Sequence, residues 1–253
     1  MSQQDDLFRY VLRLGDNSLI LGHRLSEWCA HAPELEEDIA LANIGLDLIG
    51  QARTLLTYAG QLEGKGGDED RLAYHRDVRD WYNVLLVEQP NGDFAHTMAR
   101  QCLYDSFSAL YYEALSHSRD HQLAAIAAKA VKEASYHRRH SSEWVLRLGD
   151  GTGESHRRMQ QALERLWMYA GELFVMDGVD RRLIEAGIAP DLEVLRPRWD
   201  EHVNRVLSEA TLAHPDGDWV NGGGKLAGLH SEHLGYLLAE MQTLPRAYPD
   251  ARW

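Results

Sequence analysis

Four apolar stretches of this 253-residue chain carry polar side chains at intervals of three and four residues. Such intervals place side chains along one line of a helix. The four lines contain the carboxylates Asp16, Asp47, Asp105 and Glu133. Four helices that point carboxylates at one another can bind two iron or manganese ions, provided that two of the helices also supply histidine in a Glu-x-x-His pattern. The first question is therefore whether those histidines are present.

Both positions expected to hold histidine hold other residues. Gly50 stands three residues after Asp47, and Tyr136 stands three residues after Glu133. His137 comes one residue later, which is about 100° away around a helix. Iron sites of this kind need imidazole nitrogen together with carboxylate oxygen, so we expect no working metal site in this chain. The degenerate site predicted by this pattern consists of Asp16, Asp47, Gly50, Asp105, Glu133, Tyr136 and His137.

The elements that must position these residues are helices, because helix formers dominate and alternating β-rich segments are absent. The predicted helices span about 7–29, 34–62, 93–116, 122–148, 155–174, 192–211 and 231–242. Short loops join the first two helices and the next two, whereas residues 64–92 form a long crossover. Hairpin, crossover and hairpin is the connectivity of a ferritin-like bundle.

The predicted fold is thus all-α: a ferritin-like helical bundle with additional C-terminal helices. The four-helix core spans about 7–148, the C-terminal helices span about 155–242, and one domain covers 1–253. The second helix is apolar around most of its circumference, which predicts that it is buried. Buried polar groups must be satisfied internally, so we expect the carboxylates to form a network with Lys129, Lys132 or His137.

The composition argues against several classes of function. The net charge of −13 disfavours nucleic-acid binding and anchoring to anionic membranes. The two cysteines, Cys29 and Cys102, lack zinc-site spacing, and this favours a reduced, cytoplasmic location. The acidic N-terminus does not resemble a signal peptide, and no apolar run approaches the ~18 residues of a membrane span.

Two other clusters are weaker candidates for a site. His230 and His233 lie at helical spacing, but Ser231 suits a helix N-cap, and histidines that do not bind metal are commoner than ligands. The glycines before Lys225 lack the spacing of a phosphate-binding loop and the Ser or Thr that follows its lysine. We interpret this segment as a plain loop.

Five strings spread over the chain resemble one known family. They read LRLGDN at 12–17, ALANIGLDL at 40–48, LVEQPNG at 86–92, KEASYH at 132–137 and LHSEHLG at 229–235. Together they resemble the C subunits of the bacterial phenylacetyl-CoA 1,2-epoxidase, the multicomponent oxygenase of aerobic phenylacetate degradation. The resemblance implies a ferritin-like fold without working iron and no cofactor in this chain.

The resemblance also implies partners and a reaction. The partners would be the catalytic A subunit, which holds a di-iron centre, the B subunit, and a reductase carrying FAD and an iron–sulfur cluster. The complex would use NADPH and O₂ to epoxidise phenylacetyl-CoA, and the C subunit would support the di-iron subunit. No nucleic acid or membrane would be involved.

Contacts with the CoA thioester are implied at two segments by the same resemblance. The residues concerned are Asp80, Trp81, Tyr82, Asn83, Arg181, Arg182 and Leu183. The arginine pair suits the phosphates of CoA, since guanidinium groups bind phosphate in two-pronged fashion. Packing and loop solvation are the alternative interpretation of both segments.

Two other functions remain open on the sequence. One is a free-standing di-metal carboxylate enzyme of the ferritin-like class, which the missing histidines disfavour. The other is a small-molecule binding module that uses the bundle core as its pocket, which the polar lines disfavour. Metal content separates the first alternative from a non-catalytic subunit, and a thermal-shift screen against CoA esters tests the second.

Overall fold

A computed structural model describes residues 2–217, 219–249 and 251. Over these residues the regular structure is entirely helical, which confirms the all-α prediction. The α-helices are α1 (Gln3–Ser26), α2 (Leu35–Glu63), α3 (Glu69–Tyr74), α4 (Leu85–Glu88), α5 (Phe94–Leu115), α6 (His121–Gly149), α7 (Gly153–Ala170), α8 (Gly178–Glu185), α9 (Leu192–Glu209), α10 (Gly224–Ala227) and α11 (Glu232–Ala247). Short 3₁₀ turns occupy Val78–Asp80 and Gly171–Phe174.

Side-chain caps fix where the long helices begin. Ser2 caps α1 and forms a capping box with Asp5. Asp93 accepts a hydrogen bond from the backbone of His96 at the start of α5, and Asp120 caps α6 in the same way. Each cap satisfies backbone N–H groups that the first helical turn leaves without a partner. The long helices therefore begin within a few residues of their predicted positions.

The first of two compact units comprises residues 1–31, 35–90 and 222–253. Its main feature is the hairpin of α1 and α2, which approach closely where two glycines face each other. A Cβ atom at Gly22 would lie 3.2 Å from the carbonyl oxygen of Gly45, so larger residues at this crossing would push the helices apart. The crossover after α2 contains α3, a 3₁₀ turn and α4, and α11 packs on α3.

The second unit comprises residues 32–34 and 91–221 and is centred on the hairpin of α5 and α6. Helix α5 contacts α6, α7 and α9, so it is buried along most of its length. The Trp199 indole on α9 donates a hydrogen bond to the carbonyl oxygen of Leu103 at 2.9 Å. Phe107 and Trp199 both pack against Phe174, with ring centroids 5.5 Å and 5.4 Å away. These contacts hold α9 on the hairpin.

Several details differ from the sequence-based expectations, among them the end of α11, which lies at Ala247 and not near 242. Helix α7 ends at Ala170 and continues only as a 3₁₀ turn, so the predicted helix over 155–174 is too long. The short helices α3, α4, α8 and α10 were not anticipated. Helix α2 is not buried all round, because Leu35, Ile39 and Leu46 are 70%, 55% and 65% exposed. Organisation as one domain over 1–253 stays a prediction.

A search of the described residues for membrane-spanning segments found no helix that is both long and apolar enough to cross a bilayer.

Candidate functional site

Asp16, the first residue of the predicted degenerate site, is fully buried and paired with an arginine. The two terminal guanidinium nitrogens of Arg76 donate to its carboxylate, one of them at 3.0 Å to Oδ2. The backbone N–H of Tyr82 donates to the same Oδ2 at 2.9 Å. The carboxylate therefore has a permanent cation and three hydrogen bonds, which is how a buried charge is tolerated.

The cation that neutralises Asp16 is not one of those predicted. Lys129 and Lys132 are exposed on α6, so the expected buried network with these lysines is wrong. On α2, Asp47 is only half-buried, whereas Asn43 and Thr54 are exposed. The polar line of α2 is thus partly solvated, because this side of the helix does not face the apolar surface of α1.

Gly50 occupies the first of the two expected histidine positions. It is half-buried, and a Cβ atom placed on it would have no heavy atom within 4 Å. Glycine supplies no side-chain donor atom for a metal. Asp16 is already committed to Arg76. Gly50 on α2 and Asp16 on α1 therefore do not fit the ligand shell of an iron ion.

The other half of the predicted degenerate site lies in the second unit, on α5 and α6. Asp105 is buried, and desolvation raises the pKa of its carboxyl to about 7, against the opposing effects of Ser141 and Arg100. His137 is buried as well, while Tyr136, at the second expected histidine position, is 41% exposed. The Tyr136 ring lies beside His137 and His140, with centroids 6.3 Å and 6.2 Å away.

Glu133 completes this half of the predicted site and is half-buried on α6. Over the whole described part of the chain, no group of three or more His, Cys, Asp or Glu side chains is arranged to hold a metal ion. With glycine and tyrosine in place of both histidines, the donor set lacks the imidazoles that iron sites of this class use. That these residues bind no metal stays a prediction.

The crossover segment predicted to contact a thioester presents two of its four residues to solvent. Asp80 is exposed and Tyr82 is half-buried, whereas Trp81 and Asn83 are fully buried. The guanidinium of Arg76 lies 4.2 Å from the centre of the Trp81 ring, a cation–π geometry. Trp81 and Asn83 thus position the segment, and only their neighbours are open to a ligand.

Glu88 at the end of the crossover is the centre of a second buried network, which the sequence-based reasoning did not identify. Its carboxylate accepts hydrogen bonds from Asn83 Nδ2 at 2.8 Å and from the Ser231 N–H and Oγ at 2.7 Å and 2.8 Å. Ser231 does precede α11, as expected, but its hydroxyl donates to Glu88 instead of capping the helix. Arg24 donates to the backbone carbonyl oxygen of Glu88 at 2.8 Å.

His230 supplies the cation of this network. Its Nδ1 lies 2.7 Å from Glu88 Oε2, and its Nε2 lies 2.9 Å from the carbonyl oxygen of Trp81. Both partners are acceptors, so only the doubly protonated ring can donate to both. Burial by itself would lower the pKa of His230, but the hydrogen bond and charge of Glu88 outweigh it and raise this pKa. His230 is therefore an internal counter-ion and not a metal ligand.

The glycine-rich loop before α10 packs against the same crossover. A Cβ atom at Gly224 would clash with the carbonyl oxygen of Asn83, and one at Gly228 would clash with that of Arg79. Gly228 also has a positive φ of 61°, which favours glycine. Lys225 is buried. The glycines thus permit backbone contact with residues 79–83, in agreement with a structural loop.

The arginine pair of the other predicted thioester segment lies on α8. Arg181 and Arg182 are exposed, and Leu183 is buried. Asp177 caps this helix by accepting from the N–H groups of Val179 and Asp180. Both arginine residues thus lie at the surface of their unit, while Leu183 serves packing within it.

Comparison with known proteins gives two findings that agree with each other. The family described as phenylacetic acid catabolic protein matches residues 1–253. The chain belongs to this family. It is also similar to the C subunit of the 1,2-phenylacetyl-CoA epoxidase of Escherichia coli (strain K12), with 55% identity over 249 residues, which is 98% of this chain and 100% of that protein. The resemblance drawn from the five strings is confirmed, and with it the ferritin-like class of the fold.

Two of the strings that carry the resemblance to the phenylacetic acid catabolic family meet in the Glu88 network. The string at 86–92 contains Glu88, and the string at 229–235 contains His230 and Ser231. They are 142 residues apart in sequence and joined by the 2.7 Å contact between Glu88 and His230. In this member of the family, the network fixes the crossover that carries Asp80 and Tyr82.

The charge of His230 can be measured directly. In protein labelled with ¹⁵N-histidine, we expect His230 to keep both ring protons to a higher pH than a free histidine does, because both ring nitrogens face acceptors and its pKa is raised. His96 is the internal control: burial lowers its pKa to about 4, so its ring should be neutral at pH 7. Replacing Glu88 with glutamine should move the midpoint of the His230 titration downwards. A neutral His230 in the unmodified protein at pH 6 would contradict this assignment.

Proposed function

We propose that this chain is a non-catalytic subunit of a multicomponent phenylacetyl-CoA 1,2-epoxidase, in which it supports the catalytic di-iron subunit. The observation that carries the proposal is the 55% identity to the C subunit of the Escherichia coli enzyme over the whole length of that protein. An alignment of this extent leaves no segment of the relative without a counterpart.

The donor sets described above support the non-catalytic part of the proposal. Gly50 has no ligand atom, Tyr136 is partly exposed, and Asp16 is held by Arg76. An arginine that donates two hydrogen bonds to a carboxylate blocks that carboxylate from bridging metal ions. Iron chemistry in the complex would then belong to another subunit.

In the proposed complex, the catalytic subunit holds the di-iron centre, and a reductase supplies electrons from NADPH through FAD and an iron–sulfur cluster. The B component is a further member of the assembly. The reaction is epoxidation of the aromatic ring of phenylacetyl-CoA with O₂, in the cytoplasm. This chain holds no cofactor of its own in the proposal and acts through its contact with the di-iron subunit.

We also propose that this chain contacts the CoA ester. Asp80 and Tyr82 are the accessible residues of the crossover, and Arg181 and Arg182 are accessible on α8. Arginine side chains bind phosphate groups with paired hydrogen bonds, so α8 is the segment suited to the phosphates of CoA. Trp81, Asn83 and Leu183 would act only by holding these segments in place.

Reconstitution tests the proposal. This chain, the di-iron subunit and an equimolar mixture are each purified and analysed for iron, for O₂ consumption with phenylacetyl-CoA and reductase, and by size-exclusion chromatography. We expect substoichiometric iron and no O₂ consumption for this chain alone. The mixture should elute as one complex, with an interface well above ~2,000 Å² as in obligate assemblies, and should be active.

The same experiment can overturn the proposal. Near-stoichiometric iron that stays with this chain through desalting would identify a free-standing di-metal protein. Two separate peaks at micromolar concentration, with full epoxidase activity in the di-iron subunit alone, would leave this chain without the supporting role.

A further inference from the structure

Helix α2 leaves a row of apolar side chains open to solvent, here called the α2 row. Its members are Leu35, Ile39, Ala42 and Leu46, with Ile49 at its edge, where the Ile49 side chain borders Gly22 of α1. The three largest exposures are 70% for Leu35, 55% for Ile39 and 65% for Leu46, and the other two are half-buried. Steps of four, three, four and three residues keep the row on one line of the helix. Three large exposed side chains on one line form a patch, unlike singly scattered apolar residues.

The opposite side of α2 is the one that the chain itself covers. Leu41, Ile44, Leu48 and Leu55 are buried at 0–2% exposure on the side that packs against α1. At about 100° per residue, this buried row lies roughly half a turn from the α2 row. The helix therefore has two apolar faces, which explains why its sequence predicts complete burial. Its own chain covers one face only.

The dimensions of the α2 row suit a helix as its occupant. From Leu35 to Ile49 the row is about 21 Å long at 1.5 Å per residue. Its alternating spacing is the pattern by which one helix packs its side chains between those of another, at about 8–10 Å between axes. A small molecule would need a concave site, whereas the α2 row lies on the convex surface of a helix.

Charge decides between a second copy of this chain and a different protein. The carboxylates of Glu36, Asp38 and Asp47 flank the α2 row. Arg53 is the one basic residue in the sequence of α2, and it already pairs with Glu69 at 3.2 Å. Two copies facing each other would bring acidic flanks together in chains of net charge −13, which costs free energy. A partner with basic side chains beside its own apolar row is favoured.

We propose that the α2 row is the docking surface for a helix of the di-iron subunit that carries an apolar row flanked by lysine or arginine. This inference rests on the proposed function, because it takes its partner from there. Burial of Leu35, Ile39 and Leu46 supplies the hydrophobic part of the association. The acidic flanks set the orientation and speed the encounter.

The test measures the affinity of the purified di-iron subunit for immobilised variants of this chain by biolayer interferometry. Leu46→Glu places a charge in the centre of the α2 row and should weaken binding at least about 30-fold, as loss of a central contact does. The matched control is Val194→Glu on α9, where a side chain of similar exposure, 62%, lies outside the row. This control should stay within about twofold of the unmodified chain, and both variants should keep its melting temperature.

Glu36→Lys tests the electrostatic part. Its association rate with the di-iron subunit should fall and lose its dependence on salt, with a smaller change in the dissociation rate. An unchanged rate would contradict the assignment of basic flanks to the partner.

The outcomes separate this inference from the proposed function. If the unmodified chain binds the di-iron subunit and Leu46→Glu binds equally well, the docking surface is elsewhere and the proposed function stands. If the unmodified chain binds neither the di-iron subunit nor the B component, both proposals fail. If sedimentation shows a dimer of this chain that Leu46→Glu dissociates, the occupant is a second copy and the inference is overturned.

Discussion

Replacing Arg76 with leucine is expected to lower the free energy of unfolding by about 3–5 kcal/mol. The guanidinium holds the buried carboxylate of Asp16, donates to the carbonyl oxygen of Asp80 at 2.8 Å and stacks on Trp81. Without it, an ionised carboxylate would remain in a site with no access to water. For a chain of this size the loss corresponds to roughly 6–20 °C in melting temperature, at about 2–4 °C per kcal/mol. Urea denaturation followed by circular dichroism measures it.

Arg53→Leu is the matched control for this prediction. Its guanidinium also pairs with a carboxylate, at 3.2 Å from Glu69, but its side chain is 77% exposed. Exposed pairs contribute about 0–1 kcal/mol, so this variant should unfold close to the parent. Equal losses for both variants would contradict a special role for burial. Changing Asp16 and Arg76 to leucine together should recover part of the loss, because no uncompensated charge then remains.

The positions of the long helices could be predicted from the sequence because their signals are local. Asp93 and Asp120 cap the helices that follow them, and apolar runs continue to the next loop. The partners of buried charges could not be predicted in this way. Asp16 stood out as a polar residue in an apolar helix, but Arg76 is 60 residues away in a crossover that gave no helical pattern. Lysines at helical spacing were the nearer candidates, and they are exposed.

The burial of α2 could be predicted only in part. Apolar residues on two faces of the helix indicate that both faces are covered, but the spacing of these residues does not identify the covering chain. Leu41 and Ile44 are buried within this chain, whereas Ile39 and Leu46 are not. The similarity to a protein named as an epoxidase subunit supplies context, since a subunit of a complex can leave part of its apolar surface for a partner.

The role of His230 could be assigned from its contacts but not from its spacing to His233. His230 and His233 at helical spacing resemble a pair of ligands, and the sequence left that alternative open. In the structure the two nitrogens of His230 face Glu88 and the carbonyl oxygen of Trp81. A ring that donates from both nitrogens has no lone pair for a metal. The information needed was the position of Glu88, which lies 142 residues earlier.

The second large effect concerns Asp105, whose removal is expected to stabilise the protein at alkaline pH. Burial raises the pKa of this carboxyl from 3.8 to about 7. Below about pH 4 it is protonated in both folded and unfolded chains and has no effect on stability. Between about pH 4 and 7 the unfolded chain releases the proton while the folded chain keeps it, so stability falls as pH rises. Above about pH 7 both states are ionised and the penalty is constant, at roughly 4 kcal/mol.

Asp105→Asn removes the ionisation and keeps the shape of the side chain. We expect the variant to gain stability relative to the parent as pH increases, by about 2–3 kcal/mol between pH 5 and pH 8. Urea midpoints at several pH values measure the difference. The parent protein measured in parallel at each pH value is the reference. A difference between Asp105→Asn and the parent that stays constant with pH would mean that the Asp105 carboxyl ionises normally. Its burial would then be compensated by a cation, as that of Asp16 is by Arg76.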